Sequence, residues 1–236
     1  AGVDPDVLRG LATAAARALE ERSLRLRLEL DHARLLAGAR EARADAEAAQ
    51  RRLAFLDQAS AALFGSPLDP RARLAKLAQL AVPDLADWCW VDVLEPSGCA
   101  AERLAIAHWN PDGAPIAAEE RGRRLPLDGG TEALNEVLRS CSVRLVDDVE
   151  AHVRAGGADA ALYRRLGARS ALILPLRATS PLGTMTFLFA ESNRRYGGAD
   201  VVLATELAQR AALAVENAHL FEEASRAVRA RDEMLA

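Results

Sequence analysis

The stretch GARSALILPLRATSPLGTMTFLFA, residues 167–190, decides the fold. It contains two largely apolar runs, Ser170–Leu176 and Gly183–Ala190, separated by the short polar linker Arg177–Leu182. A parallel crossover needs about a dozen residues or more, and this linker is much shorter. The two runs are therefore predicted to be neighbouring antiparallel strands.

Turn residues divide the preceding part of the chain into further short elements. The cluster Glu95-Pro96-Ser97-Gly98 separates two β-rich runs, Trp88–Leu94 and Arg103–Trp109, which predicts a hairpin. The remaining predicted elements are a short run at Arg123–Leu127, a helix at Thr131–Arg139 capped by Thr131, and a strand at Val143–Val146. Irregular alternation with antiparallel neighbours favours an α+β fold over a doubly wound parallel sheet.

Both ends of the chain have the pattern of long helices. Between Leu11 and Phe64 there is no proline and a single glycine, Gly38. A heptad seam in this stretch predicts a coiled coil and comprises Leu28, His32, Leu35, Ala39, Ala42, Ala46, Ala49, Leu53, Leu56, Ser60 and Leu63. A second seam follows Gly197-Gly198 and comprises Leu207, Ala211, Ala214, Ala218, Phe221, Ser225, Val228, Asp232 and Leu235.

One segment of the first predicted helix has the alternation of apolar and polar residues that is typical of a strand. Leu24, Leu26, Leu28 and Leu30 are separated by polar residues. We assign the segment to the helix, because no turn residue separates it from its helical flanks and a lone strand would have no partner.

The two terminal helices also share a sequence pattern. At a shift of 196 residues the start of the chain matches the last helix at Asp4, Leu11, Ala12, Ala15, Ala16, Ala18, Glu20 and Leu24. Half of these matches are alanine, so two alanine-rich amphipathic helices are one explanation. The other is that residues 4 to about 27 are the terminal helix of a preceding module of the same type.

Composition excludes several classes of protein. The chain has 236 residues, 30 basic and 34 acidic side chains and 50% hydrophobic residues. It is too apolar for an intrinsically disordered chain and too acidic for a nucleic-acid-binding domain. No apolar run reaches the roughly 20 residues that span a bilayer. Three cysteines, an odd number, argue against a disulfide scaffold. We therefore expect a soluble, cytoplasmic protein with no nucleic-acid partner and no membrane segment.

A series of motifs in the second half is similar to a known family. The motifs are GARSALILPL at 167–176, LGTMTFL at 182–188, Tyr196, Asp200 and LAQRAALAVENAHL at 207–220. With Ala86-Asp87-Trp88, the Leu127–Gly130 turn and Val146–Val149 upstream, their order resembles a GAF domain of bacterial signalling proteins over about residues 54–221. The resemblance implies an antiparallel sheet of about six strands flanked by helices, and commonly a parallel homodimer through the terminal helices.

The last residues carry a second resemblance. The run RARDEMLA, residues 229–236, is similar to the segment that enters the dimerisation helix of sensor histidine kinases. A plain linker helix is the other interpretation. The implied organisation is a signalling helix or coiled coil over 1–53, a GAF-like sensor domain over 54–221, and a linker helix toward a kinase domain over 222–236. The fragment itself is expected to have no enzymatic activity.

Aromatic residues mark the candidate ligand site. Trp88 and Trp90 fall on one face of their predicted strand because side chains alternate, and Trp109 belongs to the next one. In a chain with 4% aromatic residues, three tryptophans can line a pocket for an apolar or planar ligand, or can equally fill the core. The candidate set is completed by His108, Tyr163 and Arg124.

The residues that bind known ligands in other GAF-type proteins are not matched in this chain, so its ligand stays unassigned. Asn193-Arg194 departs from the Asn-Lys pair of members that bind cyclic nucleotides, and neither Cys89 nor Cys141 has the histidine-rich context of bilin attachment. His152 lies too early in the chain to match the haem ligand of relatives. We therefore assign no cofactor and no metal ligand.

The leading hypothesis is a sensory and signal-relay module of a bacterial histidine kinase, acting as a homodimer with an unknown small-molecule ligand. The alanine seams would pass a small shift between subunits to the output domain. Two alternatives stay open. One is a constitutive dimerisation spacer with a vestigial pocket, and the other is a thiol redox sensor that uses Cys89 and Cys99.

Overall fold

A computed structural model describes residues 5–64, 69–127, 132–155 and 160–235. The helices are α1 (Pro5–Phe64), α2 (Pro70–Ala81), α3 (Ala114–Glu120), α4 (Glu132–Ser140), α5 (Val149–Ala155), α6 (Ala160–Leu166) and α7 (Gly198–Leu235). The strands are β1 (Trp88–Leu94), β2 (Ala100–His108), β3 (Arg124–Pro126), β4 (Arg144–Val146), β5 (Ser170–Arg177) and β6 (Pro181–Phe189). The cap predicted at Thr131 and the turn at residues 128–130 lie outside the described residues.

The six described strands form one sheet in the order β3-β2-β1-β6-β5-β4, and every neighbouring pair is antiparallel. The pair that decides the fold runs from Ser170 opposite Phe189 to Arg177 opposite Pro181. The predicted α+β architecture, with an antiparallel sheet of about six strands flanked by helices, is therefore confirmed.

Helices cover both faces of the sheet because both faces are apolar. On one face, alternate residues such as Cys89, Val91 and Val93 of β1 pack with α2, α7 and the end of α1. On the other face, Trp88 and Trp90 pack with α3, α5 and α6. We call this second face the ligand face, because the candidate ligand residues Trp88 and Trp90 lie on it. α4 closes its far end, with Leu134 and Leu138 against β2 and β3 and with Val137 against β5.

The structure adds elements that the sequence pattern did not reveal. α3, α5 and α6 have seven residues each, two turns at most, which is too short for a helical period to emerge. β2 begins at Ala100, three residues before its predicted start at Arg103. Ala100 and Ala101 have low β-propensity, and their position in the strand is set by pairing with β1 and β3.

The terminal helices are long, as predicted. α1 is continuous through the alternating leucines at 24–30 and thus confirms their assignment to a helix. The chain separates into two compact units, Ala1–Leu53 and Ala54–Ala236. In the first unit, leucines such as Leu35 are exposed. The C-terminal end of the same heptad seam, with Leu56 and Leu63, belongs to the second unit and is buried there.

The seam of α7 has two parts. Leu207, Ala211 and Ala214 are buried against the sheet of the same chain, so this part serves the domain core. Further along, Phe221 and Val228 are exposed. Only the exposed part is available to a second helix.

Across the described residues, no helix is long and apolar enough to cross a membrane.

Gly183 fixes how closely β6 approaches β1. A Cβ at this position would lie 2.0 Å from the carbonyl oxygen of Asp92, far inside van der Waals contact. Any larger residue would push the two central strands apart. The close approach sets the position of Asp92 on the ligand face.

Candidate functional site

The ligand face has an aromatic core. Trp88 and Trp90 project from β1 on the same side, as their alternation predicts, and both are almost fully buried. Tyr163 of α6 packs over them, with its ring centroid 6.3 Å from that of Trp90. The indole Nε1 of Trp88 is buried and has no hydrogen-bond partner among the described residues. Three of the six candidate residues therefore lie in one cluster.

A buried ion cluster continues the same face beyond the tryptophans. Arg103 of β2 donates from Nε to Asp92 Oδ1 at 2.8 Å and from Nη1 to Glu120 Oε2 at 2.8 Å. Its guanidinium also lies over the Trp90 ring, 4.9 Å from the centroid. Arg123 donates to Glu120 from the solvent side. We refer to Asp92, Arg103 and Glu120 as the ion cluster.

Burying the charges of the ion cluster carries a large desolvation free energy, which their mutual pairing offsets. The side chains of Arg103, Asp92 and Glu120 are 2%, 3% and 5% exposed. Charges so far from water persist only when they are paired and hydrogen-bonded. The cluster therefore fixes the spacing between β1, β2 and the end of α3, and it supplies the polar end of an otherwise apolar face.

Between the aromatic core and the ion cluster lies a very small inner cavity. Its volume is about 10 Å³, and it is lined by Trp90, Asp92, Arg103, Leu125, Leu134, Tyr163, Ile173 and Thr186. Such a volume is at the limit for a single water molecule. Side chains fill the ligand face, and a larger molecule would have to displace them.

A larger outer cleft opens on the other side of Tyr163. It has a volume of about 440 Å³ and is lined by Val149, Glu150, Val153, Arg154, Tyr163, Arg164, Gly167, Ala168 and Arg169. Tyr163 lines both the outer cleft and the inner cavity. This ring separates the cleft from the aromatic core.

His108 is held between two partners at the edge of the ligand face. Its ring stacks on Trp88 at a centroid distance of 4.0 Å. On the other side Gly113 approaches so closely that a Cβ there would lie 2.2 Å from His108 Nδ1. Nδ1 donates to the Asn110 carbonyl at 2.8 Å, and Nε2 lies 3.0 Å from Glu191 Oε2. His108 therefore links the aromatic core to the segment that follows β6.

The residues between β6 and α7, 190–197, are tied down by several polar contacts, and we call them the β6–α7 connection. Asp87, just before β1, accepts hydrogen bonds from the backbone N–H of Ala190 and from the N–H and hydroxyl of Ser192. Trp109 Nε1 donates to Glu191 at 2.8 Å. Arg194, from the pair weighed as a cyclic-nucleotide motif, donates to the Asp84 carbonyl. These contacts fix the start of α7 relative to the sheet.

Two candidate residues are not part of the aromatic cluster. Trp109 follows the last residue of β2, so the strand alternation no longer applies to it, and it is about half exposed beside Glu191. Arg124 lies on the edge strand β3, where it makes two hydrogen bonds to the carboxylate of Glu95. These bonds lower the pKa of Glu95 below its ordinary value. The structure therefore does not bring Trp109 and Arg124 into the aromatic cluster, and their part in ligand binding stays a prediction.

The cysteine pair is also separated by the fold. Cys89 is buried on the sheet face opposite the ligand face, and burial strongly raises the pKa of its thiol. Cys99 is exposed at the β1–β2 turn, while Cys89 pairs with Ala107 at the other end of β2. At about 3.3 Å per strand residue this separation exceeds about 20 Å, whereas a disulfide needs Cα atoms within about 7 Å. An intramolecular Cys89–Cys99 redox switch is incompatible with this fold.

In the described part of the chain, no three His, Cys, Asp or Glu side chains are grouped so that they could hold a metal ion.

The ion cluster was not predicted from the sequence. Its signal is the spacing Trp88, Trp90, Asp92, which places a carboxylate on the buried face of a central strand.

Comparison with known proteins identifies the family. The GAF domain family profile matches residues 67–216, so the chain belongs to the GAF domain family. No curated protein matches the chain significantly.

Solved structures of GAF domains and signalling proteins share the fold. The GAF domain of a phosphoenolpyruvate-protein phosphotransferase from Coxiella burnetii is 16% identical with a TM-score of 0.58, covering 74% of this chain and 98% of its own. The phycocyanobilin-bound GAF domain of a cyanobacterial phytochrome is 16% identical with a TM-score of 0.54, covering 72% and 96%. Residues 122 to 287 of a methyl-accepting chemotaxis protein are 19% identical with a TM-score of 0.54, covering 69% and 98%. At these identities the likeness concerns the fold alone.

Proposed function

We propose that this GAF domain is a sensory and signal-relay module of a bacterial histidine kinase. A small molecule would bind against the ligand face, and its occupancy would alter the position of α7. The observation that carries the proposal is the double contact of Glu191, which meets both His108 and Trp109 at the start of the β6–α7 connection. Glu191 therefore connects His108, which stacks on the aromatic core, to the segment that leads into α7.

The proposed relay has three mechanical steps. A ligand that displaces Tyr163 also moves Trp90 and Trp88, because these rings pack in one cluster. Trp88 is stacked on His108, so its movement changes the fit of His108 between Trp88 and Gly113. His108 then alters its contact with Glu191 and thereby the beginning of α7. Packed interfaces of this kind respond by switching between discrete arrangements.

The proposal includes a parallel homodimer through the terminal helices. Support comes from apolar side chains that the single chain leaves exposed at heptad spacing on α7, Leu213 with Leu220 and Phe221 with Val228. The exposed leucines of the first unit belong to the same kind of surface. Sedimentation equilibrium of the fragment tests this point, since a monomer at tens of micromolar would contradict it.

The proposed output domain is a histidine kinase domain. This part of the proposal rests on the run RARDEMLA at 229–236, which is similar to the segment that enters the dimerisation helix of sensor histidine kinases. The fragment itself would carry no catalytic groups, and its three free thiols suit a reducing cytoplasm. Incubation of the full-length protein with radiolabelled ATP should give an acid-labile phosphohistidine. A protein that incorporates no label would contradict the kinase assignment.

A thermal-shift panel tests the sensory role. Purines, haem, bilins and small aromatic molecules are each added to the purified fragment at increasing concentration. A ligand present at about 100 times its Kd stabilises the folded state by about 2.7 kcal/mol. A concentration-dependent rise in Tm supports a sensor, and silence across the panel contradicts it.

The spacer hypothesis is the second candidate, and one observation favours it. The inner cavity is only about 10 Å³, as expected for a vestigial pocket filled by its own side chains. A spacer would keep its dimer contacts and would show no ligand-dependent change in α7. Silence in the thermal-shift panel together with a stable dimer would therefore select the spacer.

A further inference from the structure

The outer cleft has an unusual ring of positive charge. Arg154 lies in the last turn of α5, Arg164 in the last turn of α6, and Arg169 directly before β5. All three line the cleft, and Glu150 is the single acidic residue among its lining residues. The cleft therefore has a local excess of positive charge in a chain whose net charge is −4.

The cleft arginines differ from other exposed arginines of the same domain. Arg71 pairs with Glu102, Arg124 with Glu95, and Arg165 with Glu119. In contrast, the side chains of the three cleft arginines make no ion pair or hydrogen bond to any residue in the described ranges. Their charge is therefore available to a molecule in the cleft.

A structural explanation covers only part of this pattern. Basic residues in the last turn of a helix interact favourably with its free carbonyl groups, which accounts for Arg154 and Arg164. Arg169 is outside any helix, between Ala168 and the first residue of β5. Its position at the same cleft is not explained by helix ends.

The floor of the cleft is apolar. Val149, Ala168 and Tyr163 are buried, and Val153 is half-buried beside them. Its volume of about 440 Å³ lies within the range of about 300–1,000 Å³ that is typical of small-molecule sites. An apolar floor with a cationic rim matches a molecule that has an apolar body and an anionic group.

We infer that the outer cleft binds an anionic molecule with an apolar body. Its carboxylate or phosphate contacts Arg154, Arg164 and Arg169, and its body lies on Val153, Ala168 and the ring of Tyr163. This inference rests on the proposed sensory function, because it names the class of ligand that would be sensed. It also gives Tyr163 a role, since the ring lies between the cleft and the aromatic core.

Matched probes test the charge requirement by isothermal titration calorimetry on the whole 236-residue chain. The probes are 2-naphthoate, 2-naphthyl phosphate and the uncharged 2-naphthamide. At least one anion should bind about tenfold more tightly than the amide, and salt should weaken only the anion. The stronger of the two anions tells whether the cleft prefers a carboxylate or a phosphate. Anions that bind no better than the amide would overturn the inference.

Matched variants test the location. Arg154→Gln with Arg164→Gln should weaken the better anion about tenfold, at about threefold for each exposed arginine contact. Arg165→Gln is the control, because this neighbouring arginine is paired with Glu119 outside the cleft lining. Equal losses in the cleft and control variants, with unchanged Tm values, would overturn the inference.

These titrations, combined with a distance measurement on α7, separate this inference from the proposed relay. An anion that binds in the cleft while α7 stays unchanged supports the cleft and contradicts the relay. If neither anion binds, the inference that the outer cleft binds an anion is contradicted. The thermal-shift panel is then the separate test of the proposed sensory function.

Discussion

Replacing Arg103 with methionine should strongly destabilise the domain. Arg103 is the only residue within the described ranges for which the structure gives a side-chain contact to Asp92, and it is one of two that contact Glu120. Methionine keeps the volume of the side chain but removes the charge. Asp92, 3% exposed, is then left as a buried carboxylate without its cation.

The size of the effect follows from this burial. Removing one partner of a buried ion pair costs about 3–5 kcal/mol, because the remaining charge keeps its desolvation penalty. Replacing the whole ion cluster by neutral groups removes that penalty. The triple variant Asp92→Asn, Arg103→Met, Glu120→Gln should therefore be more stable than Arg103→Met alone, although it carries two further substitutions.

Urea unfolding followed by tryptophan fluorescence measures both variants, since Trp90 lies directly under Arg103. Arg124→Met is the matched control, because its pair with Glu95 is exposed to solvent and should contribute little to stability. The reasoning is refuted if Arg103→Met loses no more than the control. It is also refuted if the triple variant is less stable than the single one.

Three further predictions concern packing, thiol reactivity and output. Gly113→Ala should lower the free energy of unfolding in urea by about 2–3 kcal/mol, because the new Cβ would overlap the His108 ring. A loss below about 0.5 kcal/mol would contradict the close packing of His108 between Trp88 and Gly113. Ellman's reagent should modify exposed Cys99 within minutes and buried Cys89 only after unfolding, and equal rates would contradict the assigned faces. In the full-length protein, leucine at three seam positions of α1 should fix kinase output regardless of ligand, and an unchanged ligand response would contradict the proposed relay. The positions are Ala42, Ala46 and Ala49.

The central strands were predictable because their local pattern agrees with their tertiary surroundings. Trp88–Leu94 has the same bounds in sequence and structure, since it lies between two partners in the middle of the sheet and both of its faces are buried. The antiparallel β5–β6 pair followed from the length of its linker alone. Short helices such as α3, α5 and α6 escaped prediction, because seven residues are too few to display a period.

The candidate site was only partly predictable, for reasons of register. Alternation correctly placed Trp88 and Trp90 together, but it could not place Trp109, since β2 ends one residue earlier. The ion cluster depends on an irregularity between Val91 and Asp92 that brings Asp92 opposite Arg103. A sequence does not reveal where such a bulge falls.

The contacts of His108 were equally hidden. Its partner Gly113 lies in the turn directly after β2, whereas Glu191 belongs to the β6–α7 connection, 83 residues away in the chain. A contact as distant as the one with Glu191 arises only from the completed fold. The sequence therefore identified His108 as a candidate residue but suggested ligand binding, whereas the structure shows a contact between the core and the β6–α7 connection.

The most direct test of the relay is a distance measurement across the proposed dimer. A nitroxide label at position 226 of α7, with Cys99 and Cys141 replaced by serine, reports the separation of the two helices by double electron–electron resonance. Saturating the outer cleft with the naphthyl anion that binds should shift the distance distribution, and Glu191→Gln should reduce the shift. Identical distributions with and without bound anion would contradict the account.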